Sequence, residues 1–230
     1  MSGAEPGDAA AGQDEEDVRQ PGLFDIPPGA RRAPVRIVLL TGPSGSGKTS
    51  LTGRLGLPVV PLDDFYRDGD HPDLPRRYGI VDWDDPRSWD HEGALAALLE
   101  IARTGRAELP LYDIPTNRRT ATRVFDAGGS PIVLAEGIFA AELIADCREE
   151  DILADALCLW RPRAQTFWFR LTRDLGEARK PPLTLLRRGL NLARIEPHMI
   201  TELVARGARK MRVSDAESYL RELAARPPVA

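Results

Sequence analysis

The sequence predicts an α/β fold of three layers, a sandwich with a mostly parallel central sheet between helices and a small β-hairpin insertion. Two observations predict it. Continuous apolar runs, "VRIVLLTG", "LPVVPLD", "SPIVLAEG" and the weaker "DALCLW", have the character of strands buried on both faces, and helical patterns separate them. A glycine-rich "GPSGSGKTS" follows the first run and precedes a helical stretch, the order in which backbone groups cradle phosphate. With 230 residues and an apolar share of 42%, a single domain can bury a substantial core.

In chain order, residues 1–33 are rich in Gly, Ala, Pro, Asp and Glu with only a brief apolar "GLFDI", too little to offset the entropy of ordering them. A disordered or loosely docked tail is expected there, and a folded domain over residues 34–230. The first strand lies between Pro34 and Gly42, and the second ends where Asp63 emerges. "DHEGALAALLEIARTG" reads as a helix with Asp90 as N-cap and Gly105 as its stop. The stretch from Leu109 to Ser130, punctuated by "VFDAGG", suggests the antiparallel hairpin. Residues 163–225 read as mostly helical, broken or started at Pro181, Pro182 and Pro197.

Composition narrows the function. A net charge of -4, with arginines scattered among acids, argues against a nucleic-acid binder and for a small-molecule or protein partner. No uninterrupted apolar run is long enough for a bilayer, and the first residues lack a basic n-region with an apolar core, so neither a membrane nor secretion is indicated. Cys147 and Cys158 have no metal or redox spacing, which fits a reducing compartment, the cytoplasm by default. Self-association into a homo-oligomer is left open.

The glycine-rich stretch matches G-x-x-x-x-G-K-[ST], so Gly42, Ser44, Gly45, Ser46, Gly47, Lys48, Thr49 and Ser50 are the candidate nucleotide-binding residues. Lys48 would reach the outer phosphates, and the Thr49 hydroxyl would sit on Mg²⁺. Glu136, at the carboxyl end of a buried strand, could act on the same ion or its water shell. In "VPLDDFYRD", Asp63 and Asp64 could cap a helix, bind the metal or take a proton. Asp63 emerges at the edge of the phosphate loop, where an acid anion can orient and deprotonate an accepting hydroxyl. Phe65 and Tyr66 could wall that acceptor from water, although Phe65 also reads as core.

"GPSGSGKTS", "LDDFYR", "DWDDPRSWD", "LPLYDIPTNRR" and "VLAEGIF" stand in the order and spacing of the uridine kinase and phosphoribulokinase group of P-loop kinases, over residues 35–200. The pattern most closely resembles uridine kinase. The resemblance implies a P-loop kinase domain with a helical lid over residues 163–182, and transfer of the ATP γ-phosphoryl group, with Mg²⁺, to the 5'-hydroxyl of a pyrimidine nucleoside. It makes Asp63 the general base and puts Tyr66, Asp84, Tyr112, Asn117 and Arg119 on acceptor-binding positions. Arg170 and Arg173 match lid arginines, three apart on one helix face, with Asp174 orienting Arg173. "DWDDP" also reads as an Asx-rich turn packed by Trp83 and Trp89.

Two departures bear on specificity. The usual Arg-Gly-Arg of the lid is here Ala178, Arg179 and Lys180, with Arg179 the residue left to meet the acceptor. Asn117 and Thr184 replace a histidine and a glutamine that contact the pyrimidine, a change that should shift the accepted substrate. Two alternatives stay open: a kinase of another small alcohol, a sugar phosphate or a pantothenate-like compound, and a nucleotide-binding regulatory protein without turnover. No guanine-reading N-K-x-D supports the latter.

Overall fold

The computed structural model describes residues 35–162 and 197–226. The expected tail, residues 1–33, and the expected lid, residues 163–182, lie outside the described residues, as does Thr184. In chain order the elements are β1 (Arg36–Thr41), α1 (Lys48–Leu55), β2 (Val59–Pro61), β3 (Arg76–Arg77), β4 (Ile80–Val81), α2 (His91–Thr104), β5 (Arg106–Asp113), β6 (Arg118–Asp126) and β7 (Ile132–Glu136). They continue with α3 (Ile144–Glu149), β8 (Leu153–Trp160), a helix α4 over residues 197–205, β9 (Arg209–Arg212) and α5 (Val213–Ala225).

Five strands form one parallel sheet in the order β2-β7-β1-β8-β9. Alternation within β1 explains the layers. Ile37 and Leu39 face one side, where α2, α3 and α4 cover them, while Val38 and Leu40 face the other, under α1 and α5. All four are at most 1% exposed, so the strand reads as one apolar run because both of its faces are core. Among the described residues no helix is long and apolar enough to cross a membrane.

Asp90 caps α2 by accepting from the Gly93 N–H at 3.0 Å, and Gly105 ends it in the left-handed region, as the sequence predicts. The hairpin is longer than expected. Its first strand starts at Arg106, immediately after the helix stop, and its second ends at Asp126, leaving the two glycines of "VFDAGG" to turn toward β7. The stretch expected to be mostly helical contains β9, whose sequence "RKMR" carries no strand signal. Its cations find partners on the neighbouring elements: Arg209 bonds to Asp155 and lies over the Tyr219 ring, and Lys210 and Arg212 lie 4.5 and 5.2 Å from the Trp160 ring centre. A short, charged outer strand also resists pairing with other chains. The two-residue ribbon β3–β4 is likewise unannounced in the sequence.

Asp90 has a second role in packing. Its other carboxylate oxygen pairs with Arg119 at 2.9 Å, and Arg119 in turn donates to the Phe65 and Tyr66 carbonyls, at 2.9 and 3.0 Å. One side chain therefore ties α2, the hairpin and the segment after β2 together. Asp90→Ala is expected to lower the unfolding free energy by about 1–2 kcal/mol in a denaturant titration, and Asp90→Asn, which keeps the cap, by less.

Candidate active site

Strand register decides which residues meet. Glu136, the last residue of β7, is level with Leu40 of β1 and Pro61 of β2. The three chains therefore leave the sheet side by side, carrying the glycine-rich loop, Asp63 and Glu136 to one edge. Gly42 opens the loop at φ 136°, and a side chain there would run into the Leu159 carbonyl of β8. After Gly45 and Gly47 the chain enters α1, whose first turn has neither a side-chain cap nor an acidic residue, so its N–H groups and the positive end of its dipole face the loop. Ser46 Oγ is buried there without a hydrogen-bond partner among the described residues. Lys48 Nζ donates to the Gly42 carbonyl at 2.8 Å, and Ser50 accepts from Arg54 at 2.6 Å.

Around that ammonium group lie two carboxylates. Thr49 Oγ1 donates to Glu136 Oε1 at 3.1 Å. Burial pushes the Glu136 carboxyl up from its ordinary value; Lys48 and the Thr49 hydroxyl oppose the rise, and the charge of Asp63 adds to it. Asp63 sits in a 3₁₀ turn, Leu62–Phe65, that continues β2. Its outer side is open, yet protein crowds the carboxylate enough that desolvation raises its pKa, against the pull of Lys48 and the Ile138 N–H. The sequence did not single out Gly137. A Cβ there would stand 2.8 Å from that of Leu62 and 3.1 Å from Asp63 Oδ1, so the absence of a side chain lets the ends of β2 and β7 close on each other.

Asp64 neither caps a helix nor joins this cluster. It accepts from the Tyr112 N–H at 3.4 Å and lies 3.8 Å from Arg123, docking the hairpin on the turn. Phe65 is core, 3% exposed. Tyr66 lies half-buried in a nest of rings, 5.6 Å from Trp83, 5.8 Å from Tyr112 and 5.9 Å from Phe139, and its hydroxyl donates to the Trp83 carbonyl. Burial raises the Tyr66 pKa, and the charges of Asp63 and Asp84 raise it further.

"DWDDP" is indeed a turn built by side chains: Asp82 accepts from the Asp84 N–H and Asp85 from the Arg87 N–H, while Asp84 itself is exposed. Trp89 is buried and donates to the Leu62 carbonyl at 2.7 Å, fixing the turn that carries Asp63. Asn117 holds φ 51° at the hairpin tip and accepts the Gly69 N–H at 2.7 Å. Arg119 uses its N–H groups on Phe65, Tyr66 and Asp90, so its position is that of a clamp beneath the tyrosines. Arg170, Arg173, Asp174 and Arg179 lie outside the described residues.

The site thus combines an anion cradle, hard oxygen donors beside it, and an aromatic wall with acids at its rim. No family model matches the chain. A uridine kinase of Staphylococcus carnosus is 27% identical over 168 residues, spanning 69% of this chain and 77% of its own. One of Schizosaccharomyces pombe is 31% identical over 156 residues, spanning 62% of this chain and 32% of its own. These relatives support a likeness to the uridine kinase group of P-loop kinases. It spans half or less of the length of several curated relatives it matches. A solved structure from Silicibacter sp. TM1040, assigned to a fructose transport system kinase, shares the fold at a TM-score of 0.51 and 22% identity, over 75% of this chain and 87% of that one.

The raised carboxyl groups have a thermodynamic consequence. The folded state holds the Asp63 proton more tightly than the unfolded chain does, whose value is near 3.8, so stability falls as pH rises through the interval from that value to the raised one. At neutral pH the ionised group is a cost. Asp63→Asn is therefore expected to raise the thermal midpoint of the ligand-free protein at neutral pH, with the gain vanishing below the ordinary carboxylate range, as differential scanning calorimetry across pH would read.

Proposed function

We propose that this P-loop kinase transfers the γ-phosphoryl group of ATP to a hydroxyl of a small molecule, by preference the 5'-hydroxyl of a uridine- or cytidine-like nucleoside. The observation that carries the reading is the single sheet edge at which the glycine loop with Lys48, Asp63 and Glu136 emerge side by side, with Thr49 bonded to Glu136. Lys48 turns from the loop carbonyl to the outer phosphates, joining the N–H groups at the start of α1, which no side chain caps. Asp63 receives the acceptor's proton as the acceptor oxygen bonds to the γ-phosphorus; the bond from phosphorus to the bridging oxygen breaks and ADP departs with that oxygen.

Thr49, Glu136 and Asp63 supply a hydroxyl and two carboxylates, hard oxygen donors whose mutual repulsion a divalent cation relieves, so the residues fit Mg²⁺. Bound there, the ion would neutralise charge between the outer phosphates. Tyr66, Asp84 and Tyr112 fit the acceptor: two rings for a flat or apolar face and a carboxylate able to accept from vicinal hydroxyls. Asn117 and Arg119 belong to the same wall, Arg119 as its support. Arg170, Arg173 and Arg179 would close over the phosphates in this scheme. A cytoplasmic location, suited to the free, buried Cys147 and Cys158, is part of the proposal.

A screen of nucleosides, sugar phosphates and pantothenate-like alcohols with Mg-ATP, reading product by mass, tests the acceptor. Phosphorylation of uridine or cytidine supports the reading, and transfer only to another alcohol replaces it. Asp63→Asn is expected to keep ADP binding while turnover drops by about 10²–10⁴-fold. Unchanged turnover would remove Asp63 from the chemistry, and acceptor-independent silence in the native chain would leave a binding protein.

A further inference from the structure

In an in-line displacement the accepting oxygen and the departing one stand on opposite sides of the transferred phosphorus. Strand order puts Asp63 and the aromatic wall on the β2 side of the glycine loop, beyond β7. The nucleoside end of the departing nucleotide therefore extends to the other side, toward β8 and β9. β8 runs directly beside the loop: Cys158 is level with Thr41, and the Leu159 carbonyl stands against the point where a side chain on Gly42 would begin. The next residue, Trp160, closes β8 level with Arg212 of β9. Its indole is the single ring that these two strands carry.

Alternation along β8 fixes the side on which that ring lies. Leu157 and Leu159 face α1 and α5, whereas Cys158 and Trp160 face the opposite layer. Trp160 packs against the core there and stays partly exposed, so the indole is held in place with part of its surface at the sheet edge. Lys210 Nζ and Arg212 Cζ lie 4.5 and 5.2 Å from the ring centre, on side chains that are themselves exposed. Both cations are drawn to the electron-rich ring although their like charges repel each other. A nucleoside suits all three side chains. Its base has a flat π face for the indole, and its ring nitrogens and sugar oxygens accept from the ammonium and guanidinium groups. A cation and ring pair that served only to hold β9 could sit at any point along the outer strands. This one sits at their carboxyl ends, beside the phosphate loop, on the side that in-line transfer leaves to the nucleoside.

We propose that Trp160 is the stacking platform for the base of the donor nucleotide, flanked by Lys210 and Arg212, so that β8 and β9 hold the nucleoside of the molecule whose phosphates lie in the glycine loop. The inference rests on the nucleotide-binding reading of that loop. It is tested with the full chain by calorimetric titration of ADP and, separately, of tripolyphosphate in Mg²⁺. The chains compared are the native one, Trp160→Leu, which keeps apolar bulk, Trp160→Phe, which keeps a ring, and Lys48→Ala. Trp160→Leu is expected to weaken ADP binding by about tenfold or more and to leave tripolyphosphate binding unchanged, with Trp160→Phe between it and the native chain for ADP. Native-like ADP binding by Trp160→Leu, with Lys48→Ala disabled, overturns the inference alone. An equal loss for ADP and tripolyphosphate, the mark of a distorted loop, also overturns it, as does a loss of ADP affinity that Trp160→Phe does not lessen. Native-like binding of both ligands by Lys48→Ala overturns the reading of the loop beneath it.

Discussion

Two carboxylates held around one ammonium group, where three parallel strands end, set the terms for the rest of the molecule. Asp63 and Glu136 are crowded by protein, so ionisation costs each of them, and the charge of Asp63 adds to the cost at Glu136. Lys48 offsets part of that cost but is itself turned to the Gly42 carbonyl. An arrangement of this kind is poor as structure. Stability alone would favour a neutral side chain at either acid, so the cluster has its sense in a ligand that brings both negative phosphate for the ammonium and positive charge for the acids.

Such a cluster survives only where its surroundings fix it. The ends of β2 and β7 meet because Gly137 carries no side chain to separate Leu62 and Asp63 from them. The turn bearing Asp63 is held from beneath by the Trp89 indole and from the side by Asp64, whose bond to the hairpin explains why two successive aspartates are used for different ends. Arg119 then joins the Phe65 and Tyr66 carbonyls to Asp90, the cap of α2, so that helix, hairpin and turn move as one unit. Sites built on such braced elements keep their reacting groups in place more closely than loops alone can.

The parts of this plan legible in the sequence are those that local chemistry dictates. Strands buried on both faces must be apolar throughout, so "VRIVLLTG" and "SPIVLAEG" announce themselves, and a helix between Asp90 and Gly105 shows both its start and its stop. The phosphate loop is legible for the same reason, because its backbone path demands glycines at fixed intervals. What was not legible depends on partners distant in the chain. β9 forms from "RKMR" because Asp155, Tyr219 and Trp160 receive its cations, and none of these is a neighbour in sequence. The bracing role of Arg119, which the sequence presents only as an acceptor contact, and the close approach at Gly137 are likewise visible only once the hairpin and the strand ends are assembled.

The aromatic wall shows why the acceptor is harder to read than the chemistry. Phosphoryl transfer needs charges in a fixed relation, and the sheet edge supplies that relation through strand register whatever the acceptor is. Discrimination among acceptors needs polar groups aimed at one base or sugar, and the residues proposed for it sit on turns: Asp84 on a turn closed by Asp82 and Asp85, Asn117 at a hairpin tip locked to Gly69. A turn can exchange its exposed side chain without disturbing the bonds that shape it, since here those bonds belong to other residues or to the backbone. If the wall holds the acceptor as proposed, it can change its substrate while Asp63, Lys48 and Glu136 stay where the strands put them. On the proposed reading, that separation places the geometry of transfer in the sheet and the freedom of specificity in the turns.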